Sequence, residues 1–269
     1  MTLRIANIGG RGTPVPPRFI DPGYSVELVD VQIPVFPYNQ IDRQLKSLAY
    51  VDACQRAAKA GFDAAYVNTV GDYGLEAARS GTGMLIVGSG QATMHAAAQA
   101  GRRFSIVTIW PPATAYMYEE LVSLYGFEKQ CVSIRHVVSD ALLGQVQAEE
   151  SFVTQMKAGA SHMLDAVAAE CHKAVLEDGA DTVMFGCTCM APIGDKIQER
   201  CPFPVFDAMR TGYKMTEMLL ALKLTQSAVA YPQVPRDSGP AYRAAVTVAG
   251  PLVNPEDCPA CAISAIAAE

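Results

Sequence analysis

The residue whose type and placement best suit chemistry is Cys187, which closes an apolar run in Thr182-Val183-Met184-Phe185-Gly186-Cys187-Thr188. A thiol, with a reference pKa of about 8.5, can both take and release a proton near neutral pH. That suits proton transfer at a carbon next to a carbonyl, and a helix N-terminus after the strand would stabilise the thiolate. A buried cysteine acting as a small apolar residue is the plainer alternative. The strand-end position favours chemistry, because ligands of open parallel sheets bind beyond the carboxyl ends of the strands. Cys189 lies two residues on. One intervening residue makes a strained loop for a disulfide, so a structural role beside Cys187 is expected for it. Cys258-Pro-Ala-Cys261 has the spacing of redox and zinc sites. It lacks a second pair and a βα context, so no zinc site is expected there.

An internal repeat says what must position Cys187. Gly61-Phe62-Asp63-Ala64-Ala65-Tyr66-Val67-Asn68-Thr69-Val70 aligns in register with Gly179-Ala180-Asp181-Thr182-Val183-Met184-Phe185-Gly186-Cys187-Thr188. Each segment runs Gly-x-Asp, apolar strand, small polar residue, and Thr69 takes the place of Cys187. A repeat of roughly a hundred residues is too long for a solenoid. Around it, β-rich runs alternate with helical ones, the rhythm of parallel strands joined by helical crossovers. Strands are expected near 4–8, 64–69, 84–87, 104–108, 132–137, 182–186 and 204–206, and helices over 45–60, 90–100, 113–125, 149–177, 193–200 and 208–222. The fold class is therefore α/β, with two similar lobes, each a parallel sheet flanked by helices, related by pseudo-two-fold symmetry. Thr69 and Cys187 would face each other in an interlobe active site. Residues 1–103 with 213–269 form the first lobe, and 104–212 form the second, which carries Cys187. The tail, punctuated by Pro232, Pro235, Pro240, Pro251, Pro255 and Pro259, reads as an extended arm on its own lobe or a neighbouring subunit, and a homo-oligomer is expected.

Other candidates have competing explanations. Ser89 and Gln91, in Gly88-Ser89-Gly90-Gln91, follow a strand and open a helix, where backbone N–H groups can meet an anion; a tight turn explains them equally. Arg11, in Gly9-Gly10-Arg11-Gly12, suits pairing with a carboxylate or plain solvation. Trp110, before Pro111-Pro112, lines a pocket mouth or packs at a turn. Asp72 and Glu76 offer carboxylates near Thr69, although Glu76 also suits a helix first turn. His95, His162 and His172 read as packing or surface residues. A net charge of −6 without a basic block points away from nucleic acid and anionic membranes. The lack of a basic-then-apolar leader or a long apolar run predicts a cytoplasmic protein with reduced thiols.

From about Gly61 to Leu222 the chain resembles the aspartate/glutamate/hydantoin racemase superfamily, most nearly its hydantoin and allantoin racemase branch. The likeness rests on Gly74-Leu75-Glu76-Ala77-Ala78-Arg79, Val87-Gly88-Ser89-Gly90-Gln91-Ala92-Thr93-Met94-His95-Ala96-Ala97, Arg103-Phe104-Ser105-Ile106-Val107-Thr108, and Leu176 through Asp181 leading to Gly186-Cys187-Thr188-Cys189-Met190-Ala191. The resemblance implies a two-lobed enzyme with an interlobe site and no cofactor or metal. It also implies a small carboxylate or cyclic-amide substrate held around Arg11, Asn68, Gly71, Ser89, Gln91, Thr108, Trp110, Gly186 and Thr188. Such racemases carry one cysteine per lobe; Cys187 matches the second, and the first falls on Thr69. The Asn-rich loop after the family's first strand is replaced by Gly9-Gly10-Arg11-Gly12. Two catalytic readings follow: a racemase or isomerase using Cys187 as acid and base, or a single-cysteine decarboxylase or lyase of the arylmalonate decarboxylase type. A non-catalytic binding protein is the third.

Overall fold

The computed structural model describes residues 2–9, 14–145, 151–233 and 237–254. The chain divides into two units: one runs through Gly88 and resumes at Gly212, and the other is Ser89–Thr211. In the first, β1 (Leu3–Ile8), β2 (Tyr24–Val29), β3 (Ala64–Val67) and β4 (Leu85–Gly88) form a sheet of order β2-β1-β3-β4, with α1 (Gln40–Lys59) and α2 (Leu75–Thr82) as crossovers. The second opens with α3 (Ser89–Ala100). Its sheet has the order β6-β5-β7-β8, from β5 (Phe104–Thr108), β6 (Cys131–His136), β7 (Thr182–Phe185) and β8 (Val205–Phe206). α4 (Ala115–Leu124), α5 (Phe152–Ala158), α6 (Ser161–Leu176) and α7 (Gly194–Gln198) flank it, and α8 (Ala208–Ala221) starts there. All pairings are parallel, and the two sheets share one strand order.

Strands β3, β4, β5 and β7 are buried at every residue, so they read as continuous apolar runs. Strands β2 and β6, at one edge of each sheet, are less buried and mix polar with apolar residues, as in Tyr24-Ser25-Val26-Glu27-Leu28-Val29. That weaker pattern is why β2 was not among the expected strands.

The Gly-x-Asp of each repeat does one physical job. Gly61 and Gly179 take left-handed φ angles of 73° and 75°, where a side chain would be strained. The carboxylate two residues on then ties down the neighbouring strand. Asp63 accepts the Arg4 N–H at 2.7 Å. Asp181 accepts those of Arg102 and Arg103 at 3.0 and 3.1 Å. The registers Ile5 with Ala64 and Phe104 with Thr182 follow. At the far end, Asn68 N–H reaches the Ile8 carbonyl at 3.0 Å and Gly186 N–H the Val107 carbonyl at 2.8 Å. Thr69 and Cys187 each lie one residue past that last rung.

Three expectations are corrected. The helix over 149–177 is broken: Gly159, at φ 72°, ends α5, and α6 starts at Ser161. The division falls after Gly88, not Arg103, because α3 packs within the second unit. There Thr182 Oγ1 donates to the Ala97 carbonyl at 3.3 Å and His95 stacks edge-on against Phe127. The Pro-rich tail is not wholly extended, since it contains α9 (Gly239–Ala249), with Pro240 in the first turn where no N–H is needed. Val246 of α9 packs with Ala49, Ile33 and Val35. Arg243 joins Arg56 in pairing the buried Asp52, each at 2.9 Å, which clamps α9 onto α1. Among the described residues no helix is long and apolar enough to cross a membrane.

Removing a carboxylate that accepts these amides should loosen the sheet it ties. Asp181→Ala is expected to lower the unfolding free energy by on the order of 1–2 kcal/mol. Asp63→Ala should cost less, since it accepts from one amide where Asp181 accepts from two. Urea titrations of both variants measure the difference, and equal losses would refute this ranking.

Candidate active site

Cys187 sits where β7 gives way to a 3-10 turn, Thr188–Ile193, as that turn's N-terminal cap. Its backbone is extended, at φ −145° and ψ 134°, which curls the side chain back over the turn's first amides. Its Sγ accepts the N–H of Cys189 at 3.1 Å. Cys187 is half-buried, whereas Thr188 and Cys189 are buried. The residue before it is held on both sides. Besides its N–H bond to Val107, the Gly186 carbonyl accepts the Tyr118 hydroxyl at 2.9 Å. A Cβ at Gly186 would lie 2.6 Å from Thr108 Cβ, so only glycine lets β7 pass β5 so closely. Tyr118 also bonds Thr108 Oγ1 at 2.8 Å. Burial pushes its phenol pKa upward, keeping it a neutral donor.

The cap geometry corrects the reading of Cys189. Cys187 and Cys189 are joined as a disulfide, with their Cα atoms 5.2 Å apart, inside the ordinary range for such bonds. The tight turn after Cys187 brings the second side chain back to the first. Two of the other thiols are poor nucleophiles. Burial pushes Cys54 and Cys131 up to about 12. Cys171 and Cys201 share a hydrogen bond that raises the first and lowers the second.

In the second unit the structure thus gathers Gly186, Cys187, Thr188 and Thr108. The Thr108 side chain positions rather than faces outward: it is fully buried, and its hydroxyl serves Tyr118 and the Trp110 N–H, the latter at 3.2 Å. Trp110 is a buried turn aromatic stacked edge-on against Phe152 at 6.0 Å, with its carbonyl taken by His136 Nδ1 at 2.8 Å. Ser89 is buried too, its hydroxyl bonded to the Ala208 carbonyl at 2.6 Å, and Gln91 is half-buried at the start of α3.

The first unit holds the equivalent edge. Thr69 is half-buried, like Cys187, and its Oγ1 accepts the Gly71 N–H at 3.4 Å. Asn68 is buried, with Oδ1 accepting the Tyr66 hydroxyl at 3.3 Å. Gly71 lies under the Tyr73 ring, where a Cβ would clash at 2.3 Å. Asp72 is buried in a left-handed conformation, φ 43°, its carboxylate against Gly88 at the end of β4. Such backbone strain in a non-glycine residue concentrates at functional loops. Glu76 instead bonds Arg79 and the Tyr231 hydroxyl, at 3.2 and 3.0 Å. Arg11, Cys258 and Cys261 lie outside the described residues. Among the described residues no group of three or more His, Cys, Asp or Glu side chains could hold a metal ion.

The model of the Asp/Glu/hydantoin racemase family matches residues 17–216. The chain belongs to that family. A hydantoin racemase from Pseudomonas sp. (strain NS671) is 29% identical over 181 residues, covering 67% of this chain and 68% of that protein. The allantoin racemase from Klebsiella pneumoniae superposes with a TM-score of 0.71 at 24% identity, over 87% of this chain and 95% of that one. A ligand-bound double mutant of arylmalonate decarboxylase shares the fold at a TM-score of 0.56 and 14% identity, over 81% of this chain and 92% of that one.

Two residues of this racemase-family chain escaped the sequence reading. Tyr118, inside an amphipathic helix, carried no signal. Asp207 did carry one, an Asp between a short strand and a helix, the pattern of an N-cap. It accepts the N–H groups of Met209 and Arg210 at 2.9 and 3.4 Å. Its Oδ2 points toward Gly194, at the junction of the Cys187 turn and α7, without a hydrogen-bond partner. Burial disfavours its charge and raises its pKa to about 6, partly opposed by those amides and by Arg210.

Asp207 therefore makes stability depend on pH with a definite sign. The folded chain keeps a proton that the unfolded chain, at a carboxyl pKa of about 3.9, releases earlier. The contribution of Asp207 falls as pH rises through roughly 4 to 6, by on the order of 2–3 kcal/mol, and is flat above. Asp207→Asn keeps the Oδ1 acceptor and removes the titration. Denaturant unfolding from pH 4 to 7 should show wild type losing stability relative to the variant, and a pH-independent difference would refute the assignment.

Proposed function

We propose that this racemase-family chain transfers a proton at a carbon next to a carbonyl or carboxylate, with the reduced Cys187 thiol as the acid–base group. The substrate class is a hydantoin-like cyclic amide or an amino-acid-like carboxylate, and the enzyme works without a cofactor, in the cytoplasm, as a homo-oligomer. The observation that carries this reading is Cys187 at the carboxyl end of a central strand, with Sγ accepting the Cys189 amide. An N–H donated to sulfur favours the thiolate, the form that takes a proton. The backbone N–H of Thr188, next to Cys187, is the donor proposed for the oxygen that gains charge as the proton leaves. Family membership and the hydantoin racemase relatives support the substrate class.

A second reading follows from Thr69. An alcohol is far too weak an acid to replace a thiol at neutral pH, so protons would be exchanged through one thiol. One-sided protonation suffices for a decarboxylase, in which a carboxylate leaves as carbon dioxide and Cys187 protonates the resulting enediolate.

Deuterium exchange under reducing conditions separates these readings. In heavy water with a dithiol present, wild type should incorporate deuterium into a hydantoin, allantoin or an amino acid, and Cys187→Ala should lose about 10²–10⁴-fold of that rate. No exchange across the panel removes the first reading, and carbon dioxide release from substituted malonates in its place establishes the second. Thr69→Cys should raise racemisation at least about tenfold by supplying the missing thiol. Racemisation unchanged in Thr69→Cys would show that Thr69 does not occupy a proton-transfer position.

A further inference from the structure

We propose that Cys189 is a resolving thiol that makes Cys187 a reversible oxidative-modification site, so that peroxide switches the protein off and a dithiol switches it back on. The switching rests on Cys187 being the acid–base group; the chemistry of the pair does not. Cys187 is the half-buried member and can meet a small oxidant, whereas Cys189 is buried against it. In the disulfide the amide of Cys189 donates to Cys187 Sγ at 3.1 Å, and the same amide beside the reduced sulfur would stabilise a thiolate, the form that peroxide oxidises. The cap conformation of Cys187 and the tight turn at Thr188 hold the two Cα atoms 5.2 Å apart, so the second thiol needs no rearrangement to reach the first.

The oxidant is hydrogen peroxide, and the steps balance. The Cys187 thiolate attacks one peroxide oxygen; an S–O bond forms, the O–O bond breaks, and hydroxide leaves and is protonated to water. Cys187 is now a sulfenic acid, oxidised by two electrons. The Cys189 thiolate attacks that sulfur; the S–S bond forms, the S–O bond breaks, and a second water departs. A dithiol returns two electrons and two protons. Without a neighbouring thiol, further peroxide would carry Cys187 to sulfinic and sulfonic acids, which a dithiol does not reverse.

The test uses the full chain, reduced, desalted and treated with hydrogen peroxide, with peptide mass spectrometry and turnover read in parallel. In wild type the peptide spanning Cys187 and Cys189 should lose two hydrogens, and dithiothreitol should restore both its mass and any lost turnover. In Cys189→Ala, and in Cys189→Ser should the alanine variant not fold, the same peptide should gain two or three oxygens at Cys187, with turnover not recovered. Wild type gaining oxygens at Cys187 as readily as the variants would overturn the proposal. So would a disulfide between Cys171 and Cys201 that leaves Cys187 and Cys189 reduced. Turnover that survives formation of the Cys187–Cys189 disulfide would overturn the switch. Absence of turnover from the reduced protein counts against the proposed reaction alone, because the peptide masses still report on the pair.

Discussion

The constraint on which the rest depends is the tie between a carboxylate and amides in, or just ahead of, a neighbouring strand, made once in each unit. A left-handed glycine turns the chain, and the aspartate two residues on locks the register of the next strand against its partner. Register in a parallel sheet fixes which residue emerges at the carboxyl edge, and a slip of one residue would swap the faces of every side chain. Because β3 and β7 have four residues each, the distance from lock to edge is short and leaves little room for slack. Cys187 is where it is because Asp181 is where it is.

Much of this was legible in the sequence, since the features that fix the edge are local. Gly-x-Asp followed by an apolar run announces a turn and a buried strand within ten residues, and its repetition announces a second, similar lobe. What was illegible depended on distant partners. β2 is partly exposed along its length, so its residues carry no uninterrupted apolar signal. α9 lies in a Pro-rich segment whose composition favours loops; its place comes from Val246 meeting Ala49 and from Arg243 meeting a carboxylate on α1. Tyr118 matters because its hydroxyl ends beside a glycine carbonyl 68 residues on. No spacing rule foretells such a contact.

Cys189 shows how a geometric rule misleads when its premise is wrong. Two cysteines with one residue between them share one face of a strand, but the extended chain holds their Cα atoms about 6.6 Å apart, at the far edge of the disulfide range. Cys187 is the last extended residue, and its cap conformation folds the sulfur over the turn that Cys189 belongs to. The same amide that favours a thiolate also marks the closeness of the second cysteine. In this chain the Cys189 N–H contact to Cys187 Sγ and the Cys187–Cys189 disulfide thus share one piece of backbone.

The comparison between units bears on why there is a thiol at all. Thr69 and Cys187 follow equivalent strands, one residue beyond equivalent hydrogen bonds, and both are half-buried. If this edge position required a cysteine for packing, the first unit would have no reason to tolerate a hydroxyl there. It does tolerate one, with Thr69 Oγ1 accepting the Gly71 amide as Cys187 Sγ accepts that of Cys189. In each unit the acceptor serves the N–H two residues on, so sulfur and oxygen satisfy the same local geometry. The backbone therefore does not discriminate between them. What differs is acidity: a thiol gives up its proton within reach of neutral pH, and an alcohol does not. The proposed proton transfer at position 187 draws on that difference in acidity, which the local backbone does not supply.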